Sequence, residues 1–345
     1  MMSIVPVMPE VVRHLPVAPL YRTWQAALRD AVRDPLELCR LLRLPSQFEP
    51  EAVQAHRLFP VFAPRSYIAR MQPGNPADPL FRQVLPLADE QQSSPDFVPN
   101  PVGDLEATTR PGLLRKYHGR ALMVTTGACA VHCRYCFRRA YPYAGLPRSA
   151  AEWEPAIAEV STDASITEVI LSGGDPLMLV DRLLSELVTR LAEIEHVARI
   201  RVHTRLPIMI PERMTSQLLR LLRGTRLTPI VVVHANHPAE LAAEVGSALA
   251  ALVDAGIPVL NQSVLLRGVN DEVEVLAELS ERLIELRVMP YYLHQLDRVS
   301  GAAHFEVPAS IGRQLVRQLR RVLPGYAVPR YVREIAGAES KVPLA

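Results

Sequence analysis

From about residue 120 onward the sequence keeps returning to one unit: a short β-branched run, a polar or glycine-bearing loop, then an amphipathic helix. The runs are ALMVTT from Ala121, TEVILS from Thr167, ARIRVHT from Ala198, PIVVVHAN from Pro229, PVLNQSVLL from Pro258 and VMPYYLHQLD from Val288. The last five begin about 30 residues apart, the length of a βα unit. The stretches between them (DRLLSELVTRLAEI, PERMTSQLLRLLRG, PAELAAEVGSALAALVDAG, DEVEVLAELSERLIEL) carry apolar residues at helical spacing. Helix starts are signalled by Pro238 after His237 and by the pair Asn270 and Asp271. Strands joined this way run parallel. Six units are too few for the usual eight-stranded barrel, so the pattern predicts an α/β fold, either an open doubly wound sheet or an incomplete barrel. In both, ligands bind at the strand C-termini. That is where the polar signatures fall: CAVHCRYC, SGGDP, HTR, HANH, NQS and HQLD, one per strand. The ordering predicts an enzyme.

Residues 1–110 read differently, with helical stretches TWQAALRDAVRD, PLELCRLLRL and PRSYIARM separated by Pro-rich connectors such as QPGNPADPL. They are expected to form a helical N-terminal extension to a core at 111–330, followed by a tail at 331–345. The charge balance of 38 basic against 36 acidic side chains excludes a nucleic-acid binder that works by massed positive charge. The 49% apolar content excludes disorder. No apolar run reaches about 18 residues without a charge, and the start, MMSIVPVMPEVVRHLP, lacks a basic segment followed by an unbroken apolar one. With only four cysteines, too few for a disulfide framework, these features predict a cytoplasmic protein without a membrane span.

Among the basic residues only Lys116 and Lys341 are lysines. An arginine keeps its proton and cannot form an imine, so any Schiff-base chemistry falls to one of these two. By position alone Lys341, in GAESKVPLA, reads as a tail charge. Cys129, Cys133 and Cys136 form a C-x3-C-x2-C run just after a strand. Three thiolates on an iron–sulfur cluster leave one iron with an open position, able to take a substrate. Zinc with His132 as a further ligand is the other reading, although His132 sits awkwardly between two of the cysteines. Cys39, in the apolar helical context LELCRLLRL, reads as a buried free thiol.

CAVHCRYC resembles the signature loop of the radical S-adenosylmethionine enzymes, and SGGDP resembles their glycine-rich segment after the second strand. The resemblance implies a partial (βα)6 TIM-like barrel. It implies a 4Fe-4S cluster on Cys129, Cys133 and Cys136, with S-adenosylmethionine on the open iron and contacted by Ser172, Gly173, Gly174 and Asp175. It extends over nearly the whole chain to the lysine 2,3-aminomutase branch, through PGLLRKYHGRAL, CRYCFRRAYPY, LSGGDPLML, HANHPAE, NQSVLLRGVND, PYYLHQLDRVSGAAHF and GAESKVPL. That branch implies pyridoxal 5′-phosphate on Lys341, with Tyr117, Lys116 and Gln262 among the cofactor contacts. It implies L-lysine as substrate, its carboxylate on Arg138 and its ε-ammonium between Asp297 and Glu334. Glu334 departs from the pattern, since the lysine enzymes carry Asp there; the charge is kept and the reach is longer. A glutamate-specific relative would not place acids at both positions.

The longer aminomutases continue past the cofactor lysine into a zinc-binding segment, whereas this sequence stops at Ala345. The similarity is therefore greatest to the short enzymes that make (R)-β-lysine for elongation factor P, working with that factor's lysine ligase and an electron donor such as flavodoxin or ferredoxin. A free-standing lysine 2,3-aminomutase and a non-catalytic scaffold built on a structural metal site are the alternatives.

Overall fold

The computed structural model describes residues 21–345. The opening stretch MMSIVPVMPEVVRHLP, with the reading made of it, lies outside the described residues. Ten strands form one sheet whose spatial order is the chain order. They are β1 (Thr108–Arg110), β2 (Leu113–Leu114), β3 (Arg120–Val124), β4 (Glu168–Ser172), β5 (Arg199–Thr204), β6 (Thr228–Val233), β7 (Val259–Val264), β8 (Met289–His294), β9 (Arg330–Arg333) and β10 (Val342–Pro343). From β3 to β9 every neighbouring pair is parallel. A doubly wound sheet needs a reversal of strand order, and there is none. The sheet is that of an incomplete barrel.

Among the described residues five α-helical segments precede it, α1 (Trp24–Arg29), α2 (Pro35–Leu41), α3 (Phe48–Leu58), α4 (Arg65–Ile68) and α5 (Pro79–Arg82), with a 3-10 turn at Ala88–Gln91. The crossovers are α6 (Ala150–Thr162), α7 (Asp181–Ala192), the turn α8 (Leu206–Met209) with α9 (Ser216–Arg223), α10 (Ala243–Asp254), α11 (Val273–Glu285) and α12 (Ala309–Val322). Their apolar spacing explains their placement. In α7, Leu184, Leu187, Val188 and Leu191 fall on one stripe and are all buried. Each such side chain withdrawn from water contributes about 1.5–3 kcal/mol.

The helical extension is part of this core. Trp24, Leu38, Tyr67 and Phe81 share one buried cluster with strand residues such as Val169, Val202 and Val231. Asp78 caps α5 by accepting from the amides of Leu80 and Phe81. The Ser66 hydroxyl donates to the Met209 carbonyl at 2.7 Å, so extension and barrel are also pinned by a buried hydrogen bond.

A seventh parallel strand, β9, is the main difference from the sequence reading, which ends its core at residue 330. It pairs with β8, Tyr292 opposite Arg330 and His294 opposite Val332. RYVR has arginine at both ends and only Tyr331 and Val332 buried, too few apolar positions to register as a run. β10 then folds back antiparallel on β9, with Val342 opposite Arg333. Lys341 is thus carried on a hydrogen-bonded edge rather than on a free tail.

Helix α12 packs against β9 at Gly312, where a Cβ would overlap the Tyr331 hydroxyl, itself donating to the Gln295 side chain. Gly312→Ala is expected to displace Tyr331 and cost about 1–3 kcal/mol by overpacking, read as a lowered urea midpoint with unchanged slope.

Candidate active site

A single cavity of about 760 Å³ runs from the strand C-terminal rim into the barrel interior. Cys133, Cys136 and Lys341 all line it, so the sulfur loop and the terminal lysine open onto one space. Lys116, Tyr117, Arg138, Ser172, Gly173, Gln262, Asp297 and Glu334 also line it.

The loop carrying the cysteines is held by the segment after β4. The amide of Gly174 donates to the Thr126 carbonyl at 2.7 Å, and that of Asp175 to the Ala128 carbonyl at 2.8 Å. Gly173 has φ +135°, open only to glycine, and a Cβ on Gly174 would overlap the Ala128 carbonyl. The two glycines let one backbone approach another. Asp175 lies off the cavity wall. Its carboxylate accepts from the Leu177 and Arg205 amides and the Thr204 hydroxyl at 2.7–3.0 Å, and burial raises its pKa to about 6 despite those bonds. It positions the loop and the end of β5.

His132 points away from the cysteines. Its Nδ1 lies 2.9 Å from the Pro60 carbonyl and its ring packs on Phe59 and Phe62. Among the described residues no three His, Cys, Asp or Glu side chains are grouped to hold a metal ion. Cys39 is a buried free thiol within the apolar core.

Opposite the cysteines a chain of alternating charges crosses the cavity. Lys341 Nζ lies 2.5 Å from Glu334 Oε2, and Glu334 Oε1 lies 3.3 Å from Lys116 Nζ. Lys116 pairs with Asp104 at 2.6 Å; Asp104 pairs with Arg138 Nε at 2.6 Å; Arg138 Nη1 donates to the Ser172 hydroxyl at 2.9 Å. Lys116 belongs to the β2–β3 connection and Lys341 to the start of β10. Glu334 therefore joins the two edges of the curled sheet across the open side of the barrel. The Tyr117 hydroxyl lies buried beside Glu334.

Asp104 was not legible in the sequence. It lies in the irregular stretch NPVGDLEA, where no periodicity marks an inward-facing residue. Burial acts to raise its pKa, yet Arg138 and Lys116 together hold it below the ordinary value. Glu334 is likewise held low: burial is outweighed by Lys341 and Lys116. Asp297 has no such pairing, and burial raises it to about 7, with Lys341 opposing and Glu334 adding to the shift. Arg120, Arg201 and Arg330 also line the cavity and were missed. Arg201 interrupts the β5 run ARIRVHT, and a charge inside a strand was the available signal.

A three-cysteine loop on the rim of a parallel barrel, with Cys133 and Cys136 lining a charged cavity and Cys129 set back from it, points to a class of radical enzyme. Residues 123–280 match the Radical SAM superfamily. Over 94% of its length the chain is 46% identical to L-lysine 2,3-aminomutase of Escherichia coli, covering 95% of that protein. It is 40% identical to the Haemophilus influenzae protein of the same name, over 95% of this chain and 98% of that one. To the Clostridium subterminale L-lysine 2,3-aminomutase it is 33% identical, over 94% and 78% of the two chains. The chain belongs to the lysine 2,3-aminomutase family of radical SAM enzymes. Membership brings a 4Fe-4S cluster and S-adenosylmethionine. Streptococcus suis SuiB shares the fold at TM-score 0.50, with 12% identity over 64% of this chain and 50% of that one.

Because Asp104 has its carboxyl depressed in the folded protein, its stabilisation is complete above the unfolded carboxylate value and disappears as pH falls through the folded one. Asp104→Asn is therefore expected to lower the melting temperature at pH 7 and to flatten its fall between pH 5 and 3, measured by thermal denaturation across that range.

Proposed function

We propose that the chain converts L-α-lysine to (R)-β-lysine with pyridoxal 5′-phosphate held on Lys341, and that the product serves the modification of elongation factor P. The observation that carries this is the sharing of one cavity by the cysteine loop, the imine-forming lysine and two acids. Arg201 Nε and His203 Nε2 are buried there without partners, and the Tyr117 hydroxyl lies against Glu334, a polar set that fits an anionic, polar cofactor. Lys116, Arg120, Arg201 and Arg330 supply cations for its phosphate. When bound, the cluster with S-adenosylmethionine supplies a hydrogen-abstracting radical, and pyridoxal phosphate supplies a ring that accepts electron density.

The chain's own residues bind, orient and exclude. Arg138 spends Nε on Asp104 and one amino group on Ser172, which fixes its plane and leaves further N–H groups for a carboxylate. Asp297 and Glu334 face the same space as two acceptors for a distant ammonium. His203 and His294 are pushed well below their ordinary pKa by burial, and by Arg201 and Lys341 respectively, so they stay neutral and add no positive charge to repel that ammonium. The apolar wall of Val102, Leu122, Ile170 and Val264 keeps water from a reactive centre.

Greater identity to the Escherichia coli and Haemophilus influenzae proteins than to the clostridial one supports the elongation-factor-P branch over a free-standing aminomutase. A reduced flavodoxin or ferredoxin and the factor's lysine ligase are the partners this role requires. No helix among the described residues is long and apolar enough to cross a membrane.

Anaerobic incubation of reconstituted protein with L-lysine, S-adenosylmethionine, pyridoxal phosphate and dithionite is expected to yield β-lysine of R configuration on chiral analysis; its absence would defeat the substrate assignment. Cys133→Ala and Lys341→Arg are each expected to abolish turnover, and borohydride is expected to trap the cofactor on Lys341 of the parent only. A deletion strain lacking β-lysylated elongation factor P, restored by this chain, tests the physiological role.

Asp297 gives a pH signature. Below about 7 its carboxyl is protonated and offers no charge to an ammonium, so kcat/KM for lysine should fall as pH drops through that value. Asp297→Asn should lower kcat/KM and remove this limb.

A further inference from the structure

A second buried polar network lies behind the cysteine loop, outside the charge chain described above, and it centres on Arg205. This residue directly follows β5 and is 7% exposed. Its Nη2 donates to Glu240 Oε2 and to Gln83 Oε1, both at 2.8 Å. Both acceptors are fully buried. Its Nη1 donates to the sulfur of Cys133 at 2.8 Å. The guanidinium also lies over the rings of Tyr67 and Tyr135, 5.7 and 5.8 Å from their centroids.

An ordinary structural ion pair would use the fork of an arginine on its carboxylate. Here one amino group is anchored by two acceptors and the other is aimed at a thiol. The anchors are themselves held. Glu240 Oε1 accepts from the Asn236 amide at 2.9 Å and from Gln83 Nε2 at 3.1 Å, and Gln83 reaches the site from the end of α5 in the extension. The guanidinium is thus held through Nη2 by two acceptors that are themselves fixed, while its Nε is buried without a partner.

We infer that Arg205 is a positioning residue for the iron–sulfur cluster: its hydrogen bond and positive charge at Cys133 raise the cluster's reduction potential, with Glu240 and Gln83 setting its aim. The step concerned is a one-electron reduction by an external low-potential donor. It adds one negative charge to the cluster and its thiolates, which a fixed cation in a low-dielectric site stabilises. This rests on the family's cluster and is independent of the substrate.

The test is a potentiometric titration of the reconstituted full chain without S-adenosylmethionine, followed by the electron paramagnetic resonance signal of the reduced cluster, with dithionite as reductant. Arg205→Gln, which keeps a donor and removes the charge, is expected to make reduction about tenfold less favourable, about 59 mV more negative for one electron. Gln83→Leu, which takes away one anchor of the guanidinium without changing any charge, is expected to shift the potential the same way by a smaller amount. Iron content and melting temperature identify variants that retain cluster and fold. An unchanged potential in Arg205→Gln carrying its full iron would overturn the inference. Should that variant lose its cluster, an unchanged potential in Gln83→Leu carrying its full iron overturns it instead. A residue acting only through S-adenosylmethionine would move neither value, because none is present.

Discussion

The alternation of sign from Lys341 through Glu334, Lys116 and Asp104 to Arg138 is the constraint on which the arrangement of this cavity depends. Charges withdrawn from water are costly unless each meets its opposite, and here every member except the terminal ones is held from two sides. The chain is also selective in what it leaves over. Asp297 stands outside it and Arg138 keeps unused donors, so an acid and a cation in the same cavity are left with capacity to bind. An amino acid with a charged side chain presents the complementary pair.

The fold makes this possible because parallel strands all end at the same rim. Sequential crossovers keep that rim continuous from β3 to β9. The short antiparallel edge strands then carry lysines from distant parts of the chain to its two sides. At the glycines after β4 the demand is geometric, since the cysteine loop passes close enough to exclude a Cβ.

Much of this could be read from the residues. The βα period located six of the seven parallel strands, and the polar endings marked their functional rim. The cysteines and the two lysines stood out by residue type, whereas the roles of Lys341, Arg138, Asp297 and Glu334 came from the resemblance to the lysine 2,3-aminomutase branch. What stayed hidden lacked either a pattern or a chemical signature. β9 is four residues long with two buried side chains. Asp104 sits in irregular chain, where no repeat tells an inward carboxylate from a solvated one. The carboxylate of Asp175 is spent on backbone amides and a threonine, which its motif did not show; a motif gives the residue's identity but not its partners. Arg205 lay in plain view in HTR, yet its acceptors come from Gln83 and Glu240, 122 and 35 positions away.

Glu334 fastens the open side of the barrel with side chains, where a complete barrel would use a backbone ladder. A ladder parts only when strands unfold, on the slow scale of local melting. Two ammonium groups on flexible methylene stems can let go of one carboxylate by rotamer changes alone, with no strand parting. This side of the chamber is thus closed by charge set into a frame of hydrogen bonds, and its closure can be undone without the frame giving up a single strand.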